Sequence, residues 1–155
     1  MKTALVMIVT FMLMEPVAAL VHRFIFHGFA YKLHESDHAT EKGPLRKIDY
    51  FPVISAVITM AIIGLGVEMD ALDFLIPVGF GMGTYGIACY FIHDIVIHRR
   101  VSRVKVNPAW FQFHYDAHMF HHRFNGPPYG FVFPCVPKRM SQYFSNGNGN
   151  SSKNE

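Results

Sequence analysis

The sequence predicts an all-α fold class, an integral membrane helical bundle with three to four membrane helices and a cytoplasmic histidine-rich cap. Hydrophobic residues make up 51% of the 155 residues and charged residues only 16%, which is apolar for a soluble protein. Three stretches, 3–21, 50–67 and 74–92, are long and apolar enough to cross a bilayer. The ten histidines all lie outside the long apolar region between Ala39 and Ile92.

The first stretch, Thr3–Val21, reads TALVMIVTFMLMEPVAALV and is interpreted as a spanning helix. A secretory signal peptide is the alternative, because Lys2, the apolar run and residues 17–19 (VAA) resemble its three regions. That alternative would export the basic 22–49 loop, whereas short positively charged loops tend to stay in the cytoplasm. The spanning helix is therefore preferred.

Glu15 is a carboxylate inside the first predicted span, next to Pro16. An ionisable group at this depth is costly unless it faces protein or water, so it is a candidate for a functional site. The alternative is a hydrogen bond that packs one helix against another beside the proline kink. The sequence leaves both interpretations open.

The second span is Tyr50–Val67 and the third is Phe74–Ile92, joined by the acidic connection 68–73, which has no lysine or arginine. Positive charge collects instead in the 22–49 loop and after the third span. Cytoplasmic loops carry the excess of basic residues, so the expected topology is N-terminus out, 22–49 in, 68–73 out and C-terminus in. The basic residues after the third span are Arg99, Arg100, Arg103 and Lys105.

The segment GMGTYG, residues 81–86, matches the GxGxxG dinucleotide fingerprint but follows no strand and opens no βαβ unit. We reject a nucleotide site on that ground. Small residues let helices approach closely in lipid, which is the preferred interpretation of the glycines here. These glycines are Gly79, Gly81, Gly83 and Gly86.

The last helix is expected over 106–124, with Pro108 at its start and Gly126-Pro127-Pro128 after its end. It either lies at the membrane surface or dips in as part of a fourth segment. Two regions result: a membrane domain at 1–140 and a polar tail at 141–155, which is expected to be disordered.

Cysteines and net charge exclude several classes of protein. Cys89 and Cys135 lie far apart without a CxxC pattern, so packing is a better role for them than a disulfide or a thiolate metal site. A formal charge of +3 is too small to indicate nucleic-acid binding.

The histidines form four boxes at the predicted cytoplasmic ends of the spans. On a helix, His114, His118, His121 and His122 fall within an arc of roughly 100°, which is typical of a metal-binding face rather than of separately satisfied core histidines. The other boxes are His22 with His27, His34 with His38, and His93 with His98.

The spacing within the boxes predicts how metals are shared. His34 and His38 are four residues apart and can bind one ion. His22/His27 and His93/His98 are five apart, so each pair either addresses different metals or lies at a helix end or a π-bulge. Nine or ten imidazoles fit two metals, and imidazole suits iron, zinc and copper alike.

Four carboxylates lie between the histidines. They are expected to accept hydrogen bonds that orient neighbouring histidines more often than to bind metal themselves. They are Glu35, Asp37, Asp94 and Asp116.

The boxes HRFIFH, HESDH, HDIVIH and HMFHH, with LVHRFIFHG and GTYGIACYFIHD, resemble the bacterial β-carotene hydroxylases of the membrane fatty acid hydroxylase and sterol desaturase superfamily. The resemblance covers roughly residues 13–135. It implies a non-haem di-iron monooxygenase that uses O2 to hydroxylate ring carbon 3 of β-carotene, giving cryptoxanthin and then zeaxanthin. The implied iron ligands are His22, His27, His34, His38, His93, His98, His118, His121 and His122.

Two positions depart from the family pattern. Asp37 precedes His38 where the family often has two adjacent histidines, and His114 stands where an apolar residue is expected. We therefore assign Asp37 and His114 supporting roles beside the ligands.

The resemblance also implies partners. The carotenoid enters from the lipid, and the electrons come from a separate donor such as reduced ferredoxin, because no flavin, haem or iron–sulfur motif is present. The basic residues after the third span, with Lys138 and Arg139, either attract an acidic ferredoxin or anchor the cytoplasmic side of the membrane.

Other functions remain open at this point. Within the same class of enzyme, the alternatives are a fatty acid or sterol hydroxylase or desaturase, or a carotenoid ketolase. A metal transporter or sensor, or a haem-binding electron carrier, is a more remote alternative, because those proteins favour histidines inside the spans.

Overall fold

The computed structural model describes residues 2–38, 46–100 and 111–145, whose regular secondary structure is helical, with no strand in these ranges. Two of the spanning helices continue into π-helical segments, here named π1 and π2. The elements are α1 Lys2–Val21, π1 His22–Phe29, α2 Tyr31–His38, a 3-10 turn Lys47–Asp49, α3 Tyr50–Glu68, a 3-10 turn Asp70–Leu72, α4 Leu75–Tyr90, π2 Phe91–Ile97, α5 Gln112–Phe124 and α6 Lys138–Ser145.

Three helices in the described ranges are long and apolar enough to cross a membrane: Lys2–Phe29, Lys47–Glu68 and Leu75–Ile97. Their exposure pattern is the reverse of that of a soluble protein. On α1 the side chains of Leu5 and Ile8 are exposed, whereas the one buried residue is Glu15. Apolar side chains on the outside and polar ones inside are expected when lipid surrounds the helices.

Helix α4 packs between α1 and α3, and two glycines make this possible. A Cβ atom on Gly79 would collide with Ile63 of α3, and one on Gly81 would lie 2.6 Å from the carbonyl oxygen of Met7 in α1. The expected close approach is confirmed at these two positions. The expectation of a close approach is wrong for Gly86, where an added Cβ atom would have no neighbour within 4 Å. At Gly83 an added Cβ atom would make only an ordinary van der Waals contact.

The histidine pairs that are five residues apart lie where π1 and π2 continue α1 and α4: His22 and His27 are in π1, and His93 is in π2 with His98 directly after its last residue. A π-helix has more residues per turn than an α-helix, so residues at this spacing come onto one side. The π-bulge alternative for these pairs is therefore confirmed. Gly28 leaves the helical conformation (φ −105°, ψ −124°), which separates π1 from α2.

Helix α5 has 13 residues, or about 20 Å of length, which is too short to cross a bilayer. The described ranges therefore contain three spanning helices. Residues 106–110, where the helix was expected to begin, lie outside the described ranges. Helix α5 ends at Asn125, which adopts the left-handed conformation (φ 50°) and donates its N–H to the carbonyl of His121 at 2.8 Å.

The expected disordered tail is wrong for residues 141–145, which belong to α6. Met140 is buried against Phe120 of α5, and the aromatic rings of Tyr143 and Phe144 also pack against Phe120. Three apolar side chains on one face of a short helix are enough to dock it. Residues 146–155 lie outside the described ranges.

The two cysteines differ. Cys89 packs against the buried cluster around Tyr85 and Ile92, as expected. Cys135 is exposed, so the packing role was wrong for this residue. Both thiols are free.

Candidate metal centre

All nine histidines expected to bind metal lie together at one end of the three spanning helices, at the ends of α1 and α4 and on α2 and α5. Seven of them, together with Asp37, form two groups of four potential ligands, and the ligand atoms of each group lie within 4.8 Å of one another. Group A contains His22, His27, His34 and His121, and group B contains Asp37, His93, His98 and His118.

Group A consists of four imidazoles whose Nε2 atoms point at each other. Nε2 of His22 lies 3.1 Å from Nε2 of His34, and Nε2 of His27 lies 3.1 Å from Nε2 of His121. His22 donates its Nδ1–H to the carbonyl of Tyr129 (2.9 Å), and His121 donates its own to the carbonyl of Gly126 (2.6 Å). These bonds leave a lone pair on Nε2 of both rings, directed into the group.

These distances fit a metal site. Zinc–imidazole bonds are about 2.0–2.1 Å long, so two nitrogens on one ion are about 3.0 Å apart at a right angle and about 3.4 Å apart in a tetrahedron. The Nε2 atom of His34 has close Nε2 neighbours in both His22 and His38, each at 3.1 Å. A neutral imidazole has one N–H, so it cannot satisfy both contacts as a hydrogen-bond donor. A shared cation explains the crowding of lone pairs.

Group B combines three imidazoles with the carboxylate of Asp37. The Oδ2 atom of Asp37 lies 3.1 Å from Nε2 of His93, and its Oδ1 atom lies 3.3 Å from Nε2 of His98. The Nε2 atoms of His98 and His118 are 2.9 Å apart. Nitrogen and carboxylate oxygen together form a donor set that suits iron and zinc.

An ion-pair network supports group B from outside. His93 donates its Nδ1–H to Oδ2 of Asp94 at 3.1 Å, which directs Nε2 of His93 towards Asp37. Arg100 in turn donates to Oδ1 of Asp94 (2.6 Å) and to Oδ2 of Asp49 (2.7 Å). A histidine held by a carboxylate in this way has a fixed tautomer and ring orientation.

His38 and His122 lie between the two groups. Their rings stack with centroids 4.2 Å apart. His38 reaches His34 of group A at 3.1 Å, and Nε2 of His122 lies 3.4 Å from Oδ2 of Asp37 in group B. Each is placed to complete the coordination of a metal in the neighbouring group.

The two groups are built by the same chain pattern used twice. In each case a spanning helix continues into a π-segment, and two histidines five residues apart lie in that segment or directly after it. A second helix then follows with the spacing His-x-x-Z-His. In α2 this pattern is His34, Asp37 and His38, and in α5 it is His118, His121 and His122.

Helices α2 and α5 each provide one ligand to group A and one to group B. Helix α2 gives His34 to group A and Asp37 to group B, whereas α5 gives His118 to group B and His121 to group A. Asp37 therefore occupies the position in its half of the chain that His121 occupies in the other.

Burial keeps three imidazoles on α2 and α5 neutral, which is the form that binds metals. It lowers the pKa of His34 to about 3 and the pKa of His121 to about 3, and it lowers the pKa of His118 well below 6.5. For Asp37, burial alone would raise the pKa, but His93 and hydrogen bonds from His122 and His98 bring it below its usual value. Asp37 is therefore an anionic donor.

The four carboxylates have different fates. Asp94 orients His93, as expected, whereas the Asp37 carboxylate lies among the candidate ligand atoms rather than behind a histidine. The expectation was wrong for Glu35, which is exposed, and for Asp116, which accepts a hydrogen bond from Gln112 at 2.8 Å instead of from a histidine.

His114 is on the same side of α5 as the ligands but belongs to neither group. It donates its Nε2–H to the carbonyl of Val132 at 2.9 Å.

The loop after α5 contributes groups that sequence reasoning missed. Its carbonyls at Gly126 and Tyr129 orient two ligands of group A, and the ring of Phe131 stacks on His22 with centroids 5.0 Å apart. The turn signal at 126–128 indicated a bend in the chain but not its return to the cluster.

Glu15 holds this loop in place. Its Oε2 atom accepts hydrogen bonds from the hydroxyl of Tyr85 (2.7 Å) and from the N–H of Val132 (3.0 Å). A Cβ atom on Gly130 would collide with Oε1 of Glu15, so a larger residue there would displace this carboxylate oxygen. The packing interpretation of the intramembrane carboxylate is therefore confirmed, and the packing extends from α4 to the loop.

The basic residues near the site divide into two kinds. Arg100 is paired with Asp94 and Asp49, whereas Arg99, Lys138 and Arg139 are exposed. Arg103 and Lys105 lie outside the described ranges.

Comparison with known proteins finds similarity over most of the chain. It is 29% identical to a beta-carotene hydroxylase of Pseudescherichia vulneris, with 98% of this chain and 88% of that protein aligned. It is 32% identical to a beta-carotene hydroxylase of Pantoea ananas, with 84% and 76% aligned. It is 34% identical to the chloroplastic beta-carotene hydroxylase 1 of Capsicum annuum but spans 42% of that longer protein. No family model matches the chain, and no solved structure matches it.

Proposed function

The chain belongs to the β-carotene hydroxylase family, and from that premise we propose that it is a membrane-bound, O2-dependent hydroxylase of carotenoid rings with a di-iron centre. Its substrate would be β-carotene, converted to cryptoxanthin and then to zeaxanthin. The nine histidines and Asp37 would hold two iron ions, one in each group. The observation that carries this proposal is the meeting of eight of these side chains in two four-ligand groups, with His38 and His122 between them, at one end of three apolar helices.

Bound iron would supply the activation of O2 and the removal of hydrogen from an unactivated ring C–H bond, for which no amino-acid side chain has the chemistry. In the balanced reaction one oxygen atom enters the C–H bond to give C–OH. The other leaves as water, which requires two electrons and two protons from the donor.

The residues of the chain hold the ligands and exclude water. The carbonyls of Tyr129 and Gly126 fix two imidazoles of group A, and Asp94 fixes His93 of group B. His22, His34 and His121 are 1%, 1% and 0% exposed, so solvent is kept from the metal position of group A. Such shielding protects a reactive site from side reactions.

We further propose that the site faces the cytoplasm and receives electrons from an acidic ferredoxin. Exposed Arg99, Lys138 and Arg139 lie after the third span and in α6, and support this docking by their charge. Reporter fusions at Lys153 and Asp70 test the orientation: the first should report a cytoplasmic position and the second an external one. The opposite pattern would exclude a cytoplasmic site.

The activity is tested by expressing the chain in a bacterial host that accumulates β-carotene and separating the pigments by chromatography. Cryptoxanthin and zeaxanthin should appear with the wild-type chain and be absent with His118→Ala at equal membrane expression. Unchanged β-carotene with a well-expressed wild-type chain, or ring ketones in place of hydroxyls, would contradict the proposal.

A further inference from the structure

An apolar cleft lies beside group B. It has a volume of about 570 Å³, within the range of small-molecule sites. Phe113 and Phe133, which are 50% and 51% exposed, lie at its edge. It is lined by Ile92, Phe113, His114, Val132, Phe133 and Pro134.

The cleft leads to the ligands of group B. A second, small cavity of about 10 Å³ is lined by His93 and His118 and shares three lining residues with the cleft: Ile92, His114 and Pro134. A molecule that fills the cleft therefore ends against three side chains, directly behind which lie two histidines of group B. This shape suits a blunt ring whose long chain extends back from the site.

His114 is the one polar side chain among the residues that line the cleft. Its Nε2 atom must carry the hydrogen, because it donates to the carbonyl of Val132 at 2.9 Å. The neutral ring then has its lone pair on Nδ1. That atom is buried and has no hydrogen-bond partner among the described residues. A buried acceptor without a partner, on a side chain that lines the cleft, can be satisfied by a ligand that brings a donor.

We propose that this cleft receives one ring of the carotenoid next to group B, and that Nδ1 of His114 accepts a hydrogen bond from the ring hydroxyl after it is formed. This inference rests on the proposed function. It makes His114 a residue that distinguishes a hydroxylated ring from a hydrocarbon ring. An unhydroxylated ring occupies the same cleft but leaves Nδ1 without a partner.

The test uses the metal-loaded, full-length chain in lipid nanodiscs without an electron donor, so that ligands bind but do not react. Titration with β-carotene and with zeaxanthin is followed by the circular dichroism that bound carotenoid acquires, to which pigment dissolved in lipid contributes little. Metal content and thermal unfolding are measured for every variant, so that a misfolded variant is recognised.

Two pairs of variants separate the parts of the inference. Ile92→Phe fills the inner end of the cleft and should weaken binding of both pigments at least about tenfold, whereas Ile87→Phe, at a 73% exposed position on the same helix, should not. His114→Phe changes the wall of the cleft for both pigments, but it should weaken zeaxanthin binding about three- to tenfold more than β-carotene binding, as expected for one lost hydrogen bond. His114→Gln retains a donor and an acceptor and should keep the preference for zeaxanthin.

Several results would overturn the inference. They are no induced signal with either pigment, unchanged binding in folded Ile92→Phe, an equal loss for both pigments in His114→Phe, and competition by a linear fatty acid as strong as by carotenoid. Any of these in a chain that still makes zeaxanthin in the bacterial host contradicts the cleft alone. A chain that makes no hydroxylated pigment contradicts the proposed function.

Discussion

Groups A and B have the same architecture but different chemistry. Group A has four imidazoles, two of them oriented by the backbone carbonyls of Tyr129 and Gly126. Group B has three imidazoles and the Asp37 carboxylate, and its outer support is the side-chain network of Asp94 and Arg100. A carboxylate ligand neutralises part of the charge of a divalent ion, which four neutral imidazoles do not do. The two metals are therefore expected to be unequal.

One position in the repeated pattern accounts for this difference. Helices α2 and α5 share the spacing His-x-x-Z-His, and Z is Asp37 in the first and His121 in the second. Because α2 and α5 exchange ligands, the aspartate of the first half lies in the group whose other ligands come from the second half. Removing a ligand from each group separately tests whether the two groups hold separate metals.

The largest expected effect is the loss of a ligand. His34→Ala should remove the metal of group A and His118→Ala the metal of group B, leaving about one metal per chain in each case. Either change should reduce hydroxylation more than the roughly 10–100-fold typical of residues behind a ligand. Metal content by mass spectrometry and zeaxanthin yield are measured at equal membrane expression.

His114→Ala is the matched control, one turn from His118 on α5. It should retain both metals and part of the activity, because His114 contacts Val132 rather than either group. Full activity in His118→Ala, or loss of metal in His114→Ala, would contradict the division of roles along α5.

A smaller effect is expected when the outer support of group B is weakened. Asp94→Asn removes the charge that holds Arg100 and the strong acceptor for His93, so metal affinity at group B should fall about 10–100-fold. Group A, supported by carbonyls, should keep its metal. Competition with a chelator measures both affinities, and Asp116→Asn, whose carboxylate binds Gln112, serves as control. Equal weakening of both groups would show that the supports are not separate.

The smallest expected effect is a pH dependence of the metal-free protein. His34 and His121 have a folded pKa of about 3, below the ordinary 6.5, so the unfolded chain takes up protons that the folded chain does not. The contribution of these two neutral histidines to the free energy of unfolding should be fully present above pH 6.5 and decline as the pH falls towards 3. The limit is about 1.4 kcal/mol per pH unit for each histidine.

Thermal unfolding in detergent at pH 7 and pH 5 measures this decline. His34→Gln, which removes one titrating group of group A, should show a smaller difference between the two pH values. An unfolding temperature that is the same at both pH values in the wild-type chain would contradict the neutral, buried state of these imidazoles.

Local patterns allowed much of the fold to be predicted from the sequence. Apolar length determined the three spans, since burial in lipid requires a continuous stretch. The five-residue spacing of His22 and His27 left a π-bulge as one of the alternatives, beside a helix end or two different metals, because a regular α-helix would separate them. The short α6 was missed, because two aromatic residues in a polar segment carry too weak a signal of docking.

The division into two groups depended on contacts between distant segments and was not predictable in the same way. Asp37 was expected to orient a histidine. Its actual position among the ligand atoms depends on how α2 lies against π2, which the sequence does not specify. The role of Glu15 depends on the return of the chain at Val132, 117 residues later. Sequence spacing contains no information about such pairings.

The most direct test of the unequal metal sites is Mössbauer spectroscopy of the chain loaded with iron-57. The account predicts about two irons per chain and two quadrupole doublets of equal area with different parameters. It also predicts that the two doublets converge in Asp37→His, where group B becomes a set of four imidazoles like group A. One iron per chain, or a single doublet already present in the wild-type protein, would contradict it.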